Sequence, residues 1–175
     1  VGGIQIIEDR INDCFERSMS GRALPQDSPA LRDIIAYMAF LSLGIPAGAK
    51  VPGQGLPAVN PLQGDTARGA AIYATTCVRC HGANGEGGAA PPVWGSGSYN
   101  IGAGMSRVRT AAAFVRVAMP FDMPGTLTDQ QAFDVAAYIN TRPRPDFPGK
   151  ELDWPKGDPP PDVAYETRAA AQKRQ

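Results

Sequence analysis

The stretch TTCVRCHGANGEG, residues 75–87, contains two cysteines about one helical turn apart, followed directly by the only histidine of the chain. In the pattern C-x-x-C-H the two thiols add across the two vinyl groups of a haem, and the histidine becomes an axial ligand of its iron. The stretch therefore predicts covalent haem c, attached through Cys77 and Cys80 and ligated by His81. Ligation of this iron by two histidines of the same chain is excluded, because there is no second histidine.

Two other functions of paired cysteines are disfavoured by the flanking sequence. A zinc site needs a fourth ligand, and a histidine adjacent to the second cysteine gives poor tetrahedral geometry. A thioredoxin-type dithiol needs a βαβ setting, whereas alanines precede this motif and glycines follow it. The residues favour haem attachment.

The segments around the motif follow the order of a class I cytochrome c domain. Helix-forming residues 64–76 lead into the haem site, and residues 107–118 predict a second helix. Thr128 and Gln131 have the spacing of a capping box at the start of a third helix. The sequence therefore predicts an all-α domain over residues 64–142, in which the haem rather than a sheet forms most of the core.

Three methionines compete for the sixth coordination position of the iron. Met119 lies where the second helix stops, so its thioether can reach the haem face opposite His81. Met123 lies four residues further along the loop. Met105 precedes the helix, and methionine more often fills gaps in a core than binds metal. The sequence favours Met119 and leaves Met123 and Met105 as alternatives.

A partial repeat of this domain is predicted over residues 1–50. LRDIIAYMAF at residues 31–40 aligns with AFDVAAYINT at residues 132–141, and Ser28 caps the first helix as Thr128 caps the other. The alignment predicts the back half of a second cytochrome c-like domain. An ordinary helical hairpin packed against the haem domain is the alternative.

The repeat gives a position to Cys14, which has no partner cysteine once Cys77 and Cys80 hold a haem. The alignment places Cys14 and Met19 in or beside the region where an axial ligand of the first domain would lie. Cys14 also belongs to an apolar stripe, so a small core residue is the ordinary interpretation. The repeat alone does not choose between Cys14 and Met19.

Composition excludes some partners. The 17 basic and 17 acidic residues cancel and are scattered, so neither a nucleic-acid surface nor a polybasic membrane patch is expected. The longest apolar run, residues 34–45, is too short to span a bilayer, so no transmembrane segment is expected there and a buried helix is predicted. The chain opens without a signal-like pattern, so Val1 is interpreted as a processed terminus or the start of a fragment.

Two segments rich in proline complete the predicted organisation. Residues 51–63 contain PG and NP turns and predict a linker. Residues 143–175 predict a Pro-rich arm that wraps the domains, with Phe147 and Trp154 as its anchors.

The chain resembles the dihaem c-type cytochromes of the thiosulfate dehydrogenase (tetrathionate-forming) type. The resemblance covers nearly the whole chain and is carried by CFERSMSGRALP, residues 14–25, and by residues 102–120, from GAGM to AMP. It implies that Cys14 is the thiolate ligand of an active-site haem. It also implies that Met119 is the distal ligand of a second, electron-relaying haem, which is held here by Cys77, Cys80 and His81.

The resemblance further implies a periplasmic oxidoreductase that couples two thiosulfate anions, or similar sulfur anions, and passes electrons through haem c to a redox partner. Arg17 and Arg22, one or two turns from Cys14, are the candidate catalytic cations, since a planar guanidinium holds two oxyanion oxygens. Arg107 or Arg109 of the haem domain is an alternative.

One feature departs from that family pattern. The chain contains no first C-x-x-C-H, so it attaches one haem, and a second is expected only where the front half of the first domain is present. The sequence is then a fragment, or another chain supplies the missing motif, or the protein is a one-haem relative without catalysis. The alternative function is a non-catalytic monohaem electron carrier docked to another redox protein.

Overall fold

A computed structural model describes residues 4–173. Over that range the chain contains helices and loops without any β-strand, which confirms the predicted all-α class. Residues 1–3, with the predicted processed terminus Val1, lie outside the described residues, and so do residues 174–175 of the arm. The helices are α1 (Ile7–Asp13), α2 (Pro29–Leu41), α3 (Thr66–Ile72), α4 (Val78–His81), α5 (Val108–Ala118), α6 (Asp129–Asn140) and α7 (Arg168–Gln172).

Two of these helices each continue into a π-helical turn of their own. α1 continues into Cys14–Ser18, and α3 continues into Tyr73–Cys77. In the first turn the N–H of Met19 donates to the carbonyl of Cys14, five residues earlier, at 3.2 Å. Such turns are rare and occur frequently at functional sites. Here one ends at the first cysteine of the haem motif and the other begins at Cys14.

The predicted starts of α2 and α6 are confirmed. Ser28 Oγ accepts a hydrogen bond from the N–H of Leu31 at 3.3 Å, and Pro29 is the first residue of α2. At α6, Thr128 Oγ1 accepts from the N–H of Gln131 at 3.2 Å, while Gln131 Oε1 accepts from the N–H of Thr128 at 2.9 Å. This is the capping box that the sequence predicts.

α6 is the central helix of the haem domain and packs against both α3 and α5. Its crossing with α3 is close because Gly69 has no side chain: a Cβ there would overlap the carbonyl oxygen of Asp134. The buried Asp134 carboxylate accepts from the N–H of Asp65 at 2.8 Å and from Arg68 Nε at 2.7 Å. Burial is the largest single effect and opposes its charge, but the hydrogen bonds from Arg68, the N–H of Asp65 and Gln130 together outweigh burial and lower the pKa of Asp134.

The predicted burial of residues 34–45 is wrong for this chain. Within α2 only Leu31 is buried, whereas Tyr37, Phe40 and Leu41 are 62%, 65% and 59% exposed. The physical reason is that α2 packs on α1, and this contact leaves most of its apolar side chains in solvent. No helix among residues 4–173 is long and apolar enough to cross a membrane.

The chain after α6 runs along the loop that follows the haem motif. The N–H of Gly95 donates to the carbonyl of Pro143 at 2.8 Å, and the N–H of Ile101 donates to that of Pro145 at 3.1 Å. We call residues 143–173 the C-terminal arm. Its Phe147 ring lies 4.1 Å from the guanidinium carbon of Arg17, so the arm also reaches the N-terminal segment.

The crossing at Gly69 generates a stability prediction. Replacing a helical glycine with alanine normally stabilises a helix by about 1 kcal/mol. We expect Gly69→Ala to lower the free energy of unfolding by about 2 kcal/mol instead, because the added methyl group meets the backbone of α6. Denaturant unfolding of the haem-loaded protein, followed by circular dichroism, measures this. Gly97→Ala, whose Cβ would lie 3.5 Å from Pro92, is the control; equal effects of the two variants would refute the close crossing.

Candidate functional site

The haem motif lies on the extension of α3. Cys77 ends the π turn, while Cys80 and His81 lie in α4. His81 Nδ1 lies 2.8 Å from the carbonyl oxygen of Pro91. Since a carbonyl oxygen only accepts, Nδ1 carries the proton and donates, and the lone pair of Nε2 is free to bind iron. The backbone at Pro91 therefore fixes both the tautomer and the orientation of His81, the predicted axial ligand.

The residues around this motif suit haem c. Cys77 and Cys80 are free thiols, as thioether formation requires. Cys77 and Met119 both pack against one apolar cluster, and an apolar surface suits a porphyrin. The buried members of this cluster are Tyr73, Trp94, Val115, Leu127, Ala132, Val135 and Ile139.

The three candidate methionines have different surroundings. Met119 follows the last residue of α5 and packs against the same cluster as Cys77. Met123 is 51% exposed in the loop between α5 and α6. Met105 packs against a separate cluster made by α5 and α6 residues. This distribution is consistent with Met119 as the sixth ligand, which stays a prediction.

The loop that follows Met119 is fastened to the haem motif. Arg79, inside the motif, donates through Nη2 to Asp122 Oδ1 and Oδ2 at 2.5 and 2.6 Å. At the other end of the loop, Arg116 Nη1 donates to the carbonyl of Gly125 at 2.9 Å. Both side chains of the Arg79–Asp122 pair are 52% exposed, so the pair contributes little to stability. Its consequence is geometric, since it joins the two segments that carry the predicted axial ligands.

A second site is a cleft of about 240 Å³ between the N-terminal segment, the loop before α5 and the C-terminal arm. We call it the arginine cleft, because three arginines, two aspartates and two aromatic side chains line it. They are Arg10, Arg17, Arg107, Asp13, Asp153, Trp154 and Tyr165.

The charge of Arg17 in this cleft is compensated. Arg17 Nη1 and Nη2 donate to the two carboxylate oxygens of Asp153 at 2.7 and 2.8 Å, and Nε donates to Asp13 at 3.3 Å. Burial opposes both charges of the Arg17–Asp153 pair. Burial is the largest single effect, but it is outweighed by the sum of the hydrogen bonds and charge attraction within the pair and the contacts with Asp13 and Tyr165. The pKa of Arg17 is therefore raised and the pKa of Asp153 is lowered.

Arg10 and Arg107 are the uncompensated cations of the arginine cleft. Within residues 4–173 neither forms an ion pair with a carboxylate. Arg10 Nη1 instead donates to Cys14 Sγ at 3.5 Å. Arg107 lines the cleft from the haem domain. The cleft thus presents two free guanidiniums, one of which contacts the cysteine sulfur.

The predicted site residues lie at different positions relative to the arginine cleft. Cys14 is partly exposed at the start of its π turn and meets the cleft through Arg10. Arg22 is exposed and outside the cleft lining, as is Arg109. The roles of Cys14, Arg17 and Arg22 stay predictions. Sequence reasoning missed Arg10, although its position four residues before Cys14 on one helix face was a usable signal.

Part of the chain matches a known family model. The family described as cytochrome c oxidase, cbb3-type, subunit III matches residues 64–139. The match contains the haem motif, α5 and α6, and it confirms the predicted cytochrome c domain with haem c.

Longer matches come from individual proteins. The thiosulfate dehydrogenase of Allochromatium vinosum is 46% identical over 154 residues, which are 83% of this chain and 57% of that protein. That of Psychrobacter arcticus is 42% identical over 170 residues, 93% of this chain and 52% of that protein. The solved structure of thiosulfate dehydrogenase (TsdBA) from Marichromatium purpuratum, "as isolated" form, has a TM-score of 0.81 at 38% identity and covers 93% of this chain and 39% of that chain. The chain spans about half the length of the curated relatives it matches.

The packing of the three methionines generates a spectroscopic prediction. We expect Met119→Ala to abolish the weak thioether-to-iron charge-transfer band of the oxidised haem, because Met119, which packs against the same cluster as Cys77, is the predicted ligand. The exposed Met123, replaced by alanine, is the matched control and should leave the band unchanged. Loss of the band in Met123→Ala, with retention in Met119→Ala, would reverse the assignment.

Proposed function

We propose that this chain, which belongs to the thiosulfate dehydrogenase-type c-type cytochromes, forms part of an oxidoreductase. The proposed reaction joins two thiosulfate dianions into tetrathionate. One bond forms between sulfur atoms of the two anions and no bond breaks. Haem c held by this chain would accept the two electrons that this coupling releases, one at a time, and a redox partner would take them up. The observation that carries the proposal is that Arg10 and Arg107, which have no carboxylate partner among residues 4–173, line the same cleft, and that Arg10 also contacts Cys14 Sγ.

The arginine cleft suits dianions because its free charges are positive. Two dianions repel each other, so their approach requires cations that are not already neutralised. A guanidinium suits this task because its parallel N–H groups bind two oxygens of one oxyanion. Arg10 and Arg107 lie on different segments. We propose that both contact one anion in the cleft.

The haem domain supplies the electron path. When bound, haem c accepts and passes on single electrons. The residues that hold it are proposed to be Cys77, Cys80, His81 and Met119. Pro91 orients His81 through its carbonyl. A redox partner that takes electrons from this haem, and a periplasmic location, are proposed with it from the family resemblance.

Residues 1–50 are proposed to be the back half of a first cytochrome c-like domain. The support is a contrast between aligned positions. Asp134 and Tyr138 of α6 are held by α3 and the π turn that continues it. Asp134 accepts hydrogen bonds from Arg68 of α3, and the Tyr138 ring lies 5.6 Å from that of Tyr73 in the π turn. The aligned Asp33 and Tyr37 of α2 are exposed.

We therefore propose that α2 packs against a front half that carries its own haem motif. This front half would belong either to a longer form of the same polypeptide or to another chain. In that domain Cys14 is the proposed distal ligand of a second haem. The pyridine haemochrome of the intact protein measures its haem content. We expect two haems if this proposal is right and one if the protein is a monohaem electron carrier.

Reduction of haem by thiosulfate tests the activity. In the intact, haem-loaded protein we expect thiosulfate to reduce haem c and tetrathionate to accumulate. Cys14→Gly should keep the haem of Cys77 and Cys80 but lose turnover and the low-spin thiolate signal in electron paramagnetic resonance. Absence of haem reduction in the wild type would leave the protein as an electron carrier and refute the enzyme proposal.

The two free guanidiniums give a binding prediction. We expect Arg10→Gln and Arg107→Gln each to raise KM for thiosulfate about tenfold, because each removes a charge-assisted contact with the anion. Arg109→Gln is the matched control, two residues from Arg107 but outside the cleft lining. An equal rise in KM for Arg107→Gln and Arg109→Gln would indicate a long-range charge effect and contradict direct binding.

A further inference from the structure

Arg17 lies where three separate segments meet. Its carbonyl accepts from the N–H of Asn100 at 3.1 Å, and its Nη1 lies 3.5 Å from the carbonyl oxygen of Gly102. The arm covers it from the other side, with the Phe147 ring at 4.1 Å and the Asp153 carboxylate bound through two nitrogens. One side chain therefore connects the N-terminal segment, the loop before α5 and the arm.

The arm forms one wall of the arginine cleft. Asp153, Trp154, Val163 and Tyr165 of the arm line the cleft together with Arg10 and Arg107. Tyr165 donates through its hydroxyl to Asp153 at 2.5 Å, and its ring centroid lies 6.0 Å from that of Trp154. This wall is therefore centred on Asp153 and the two rings beside it.

Trp154 shows that the wall is held in a specific conformation. Its φ is 47°, in the left-handed region that costs energy for any residue other than glycine. Such a conformation persists only where the surroundings fix it. The adjacent Asp153, bonded to both Arg17 and Tyr165, supplies that fixation.

The hydrogen bonds of Arg17 leave it poorly suited to bind an oxyanion itself. An arginine holds an oxyanion best through two parallel N–H groups. The pair formed by Nη1 and Nη2 is occupied by Asp153, and on the other edge Nε already donates to Asp13. One face of the guanidinium is covered by Phe147. The Arg17 guanidinium therefore has no pair of parallel N–H groups left to bind substrate.

We propose that Asp153 is a positioning residue for the anion site: by binding Arg17 it holds the C-terminal arm in place as a wall of the arginine cleft. Arg17 then acts on substrate through Asp153 and the arm, and Arg10 and Arg107 bind the anion. This inference rests on the function proposed above, and it makes the arm, which has no chemistry of its own, a determinant of affinity.

A double-mutant cycle in the intact, haem-loaded protein tests the inference. The variants are Arg17→Gln, Asp153→Asn and the two together. We expect each single variant to raise KM for thiosulfate about tenfold with kcat within about twofold, and the double variant to be no worse than either, because both remove the same link. Amide hydrogen exchange of residues 150–165 should rise equally in all three, because the arm loses the same anchor.

Two further variants sharpen the result. Tyr165→Phe removes only one hydrogen bond to Asp153 and should shift KM and exchange in the same direction by less. It also keeps the inference testable if Asp153→Asn fails to fold. Lys150→Gln breaks the Lys150–Asp146 ion pair on the same arm, outside the cleft lining, and should change neither quantity.

Three outcomes would overturn the inference. If Arg17→Gln raises KM while Asp153→Asn leaves it unchanged or lowers it, Arg17 binds the anion directly. Additive effects in the double variant would mean that the two residues act independently. Unchanged exchange in Asp153→Asn would mean that this pair does not hold the arm. If the wild type fails to oxidise thiosulfate, the proposed function is wrong, and the exchange data alone then decide whether Arg17 and Asp153 anchor the arm.

Discussion

The close crossing of α3 and α6 at Gly69 determines how the chain enters the haem motif. Because the two backbones approach without a side chain between them, Asp134 of α6 binds Arg68 and the N–H of Asp65 at the start of α3. That contact fixes the axis along which the π turn and α4 continue. α5 packs on the same central helix and ends just before Met119. The positions of both predicted axial ligands therefore depend on packing against α6.

The signals that predict this domain are local in sequence. The haem motif, the capping box at Thr128 and Gln131, and the cap at Ser28 each depend on residues within five positions of one another. The ligand preference for Met119 also follows from its place at a helix end. Such features survive without knowledge of the tertiary structure, because the residues that cause them are neighbours on the chain.

The features that escaped prediction depend on distant contacts. Arg17 and Asp153 are 136 residues apart, so their pairing leaves no local signal, while the direct role of Arg17 with the anion stays a prediction. The prediction that α2 is buried was wrong for a related reason. An apolar run indicates that a surface prefers to be covered, but it does not identify the covering element, and α1 covers little of α2 in this chain. The aligned Tyr138 is packed because Tyr73 and Trp94 lie against it.

A net charge of zero conceals an asymmetry that matters at the arginine cleft. Asp153 and Asp13 lie within the cleft, yet both are bonded to the same guanidinium, and this leaves Arg10 and Arg107 free. Carboxylates that would repel a dianion are thus satisfied by one arginine, which at the same time anchors the arm. Because the pairing is within the protein, the electrostatic potential at the cleft depends on the arm being in place. Affinity for an anion and docking of the arm are therefore coupled through Asp153.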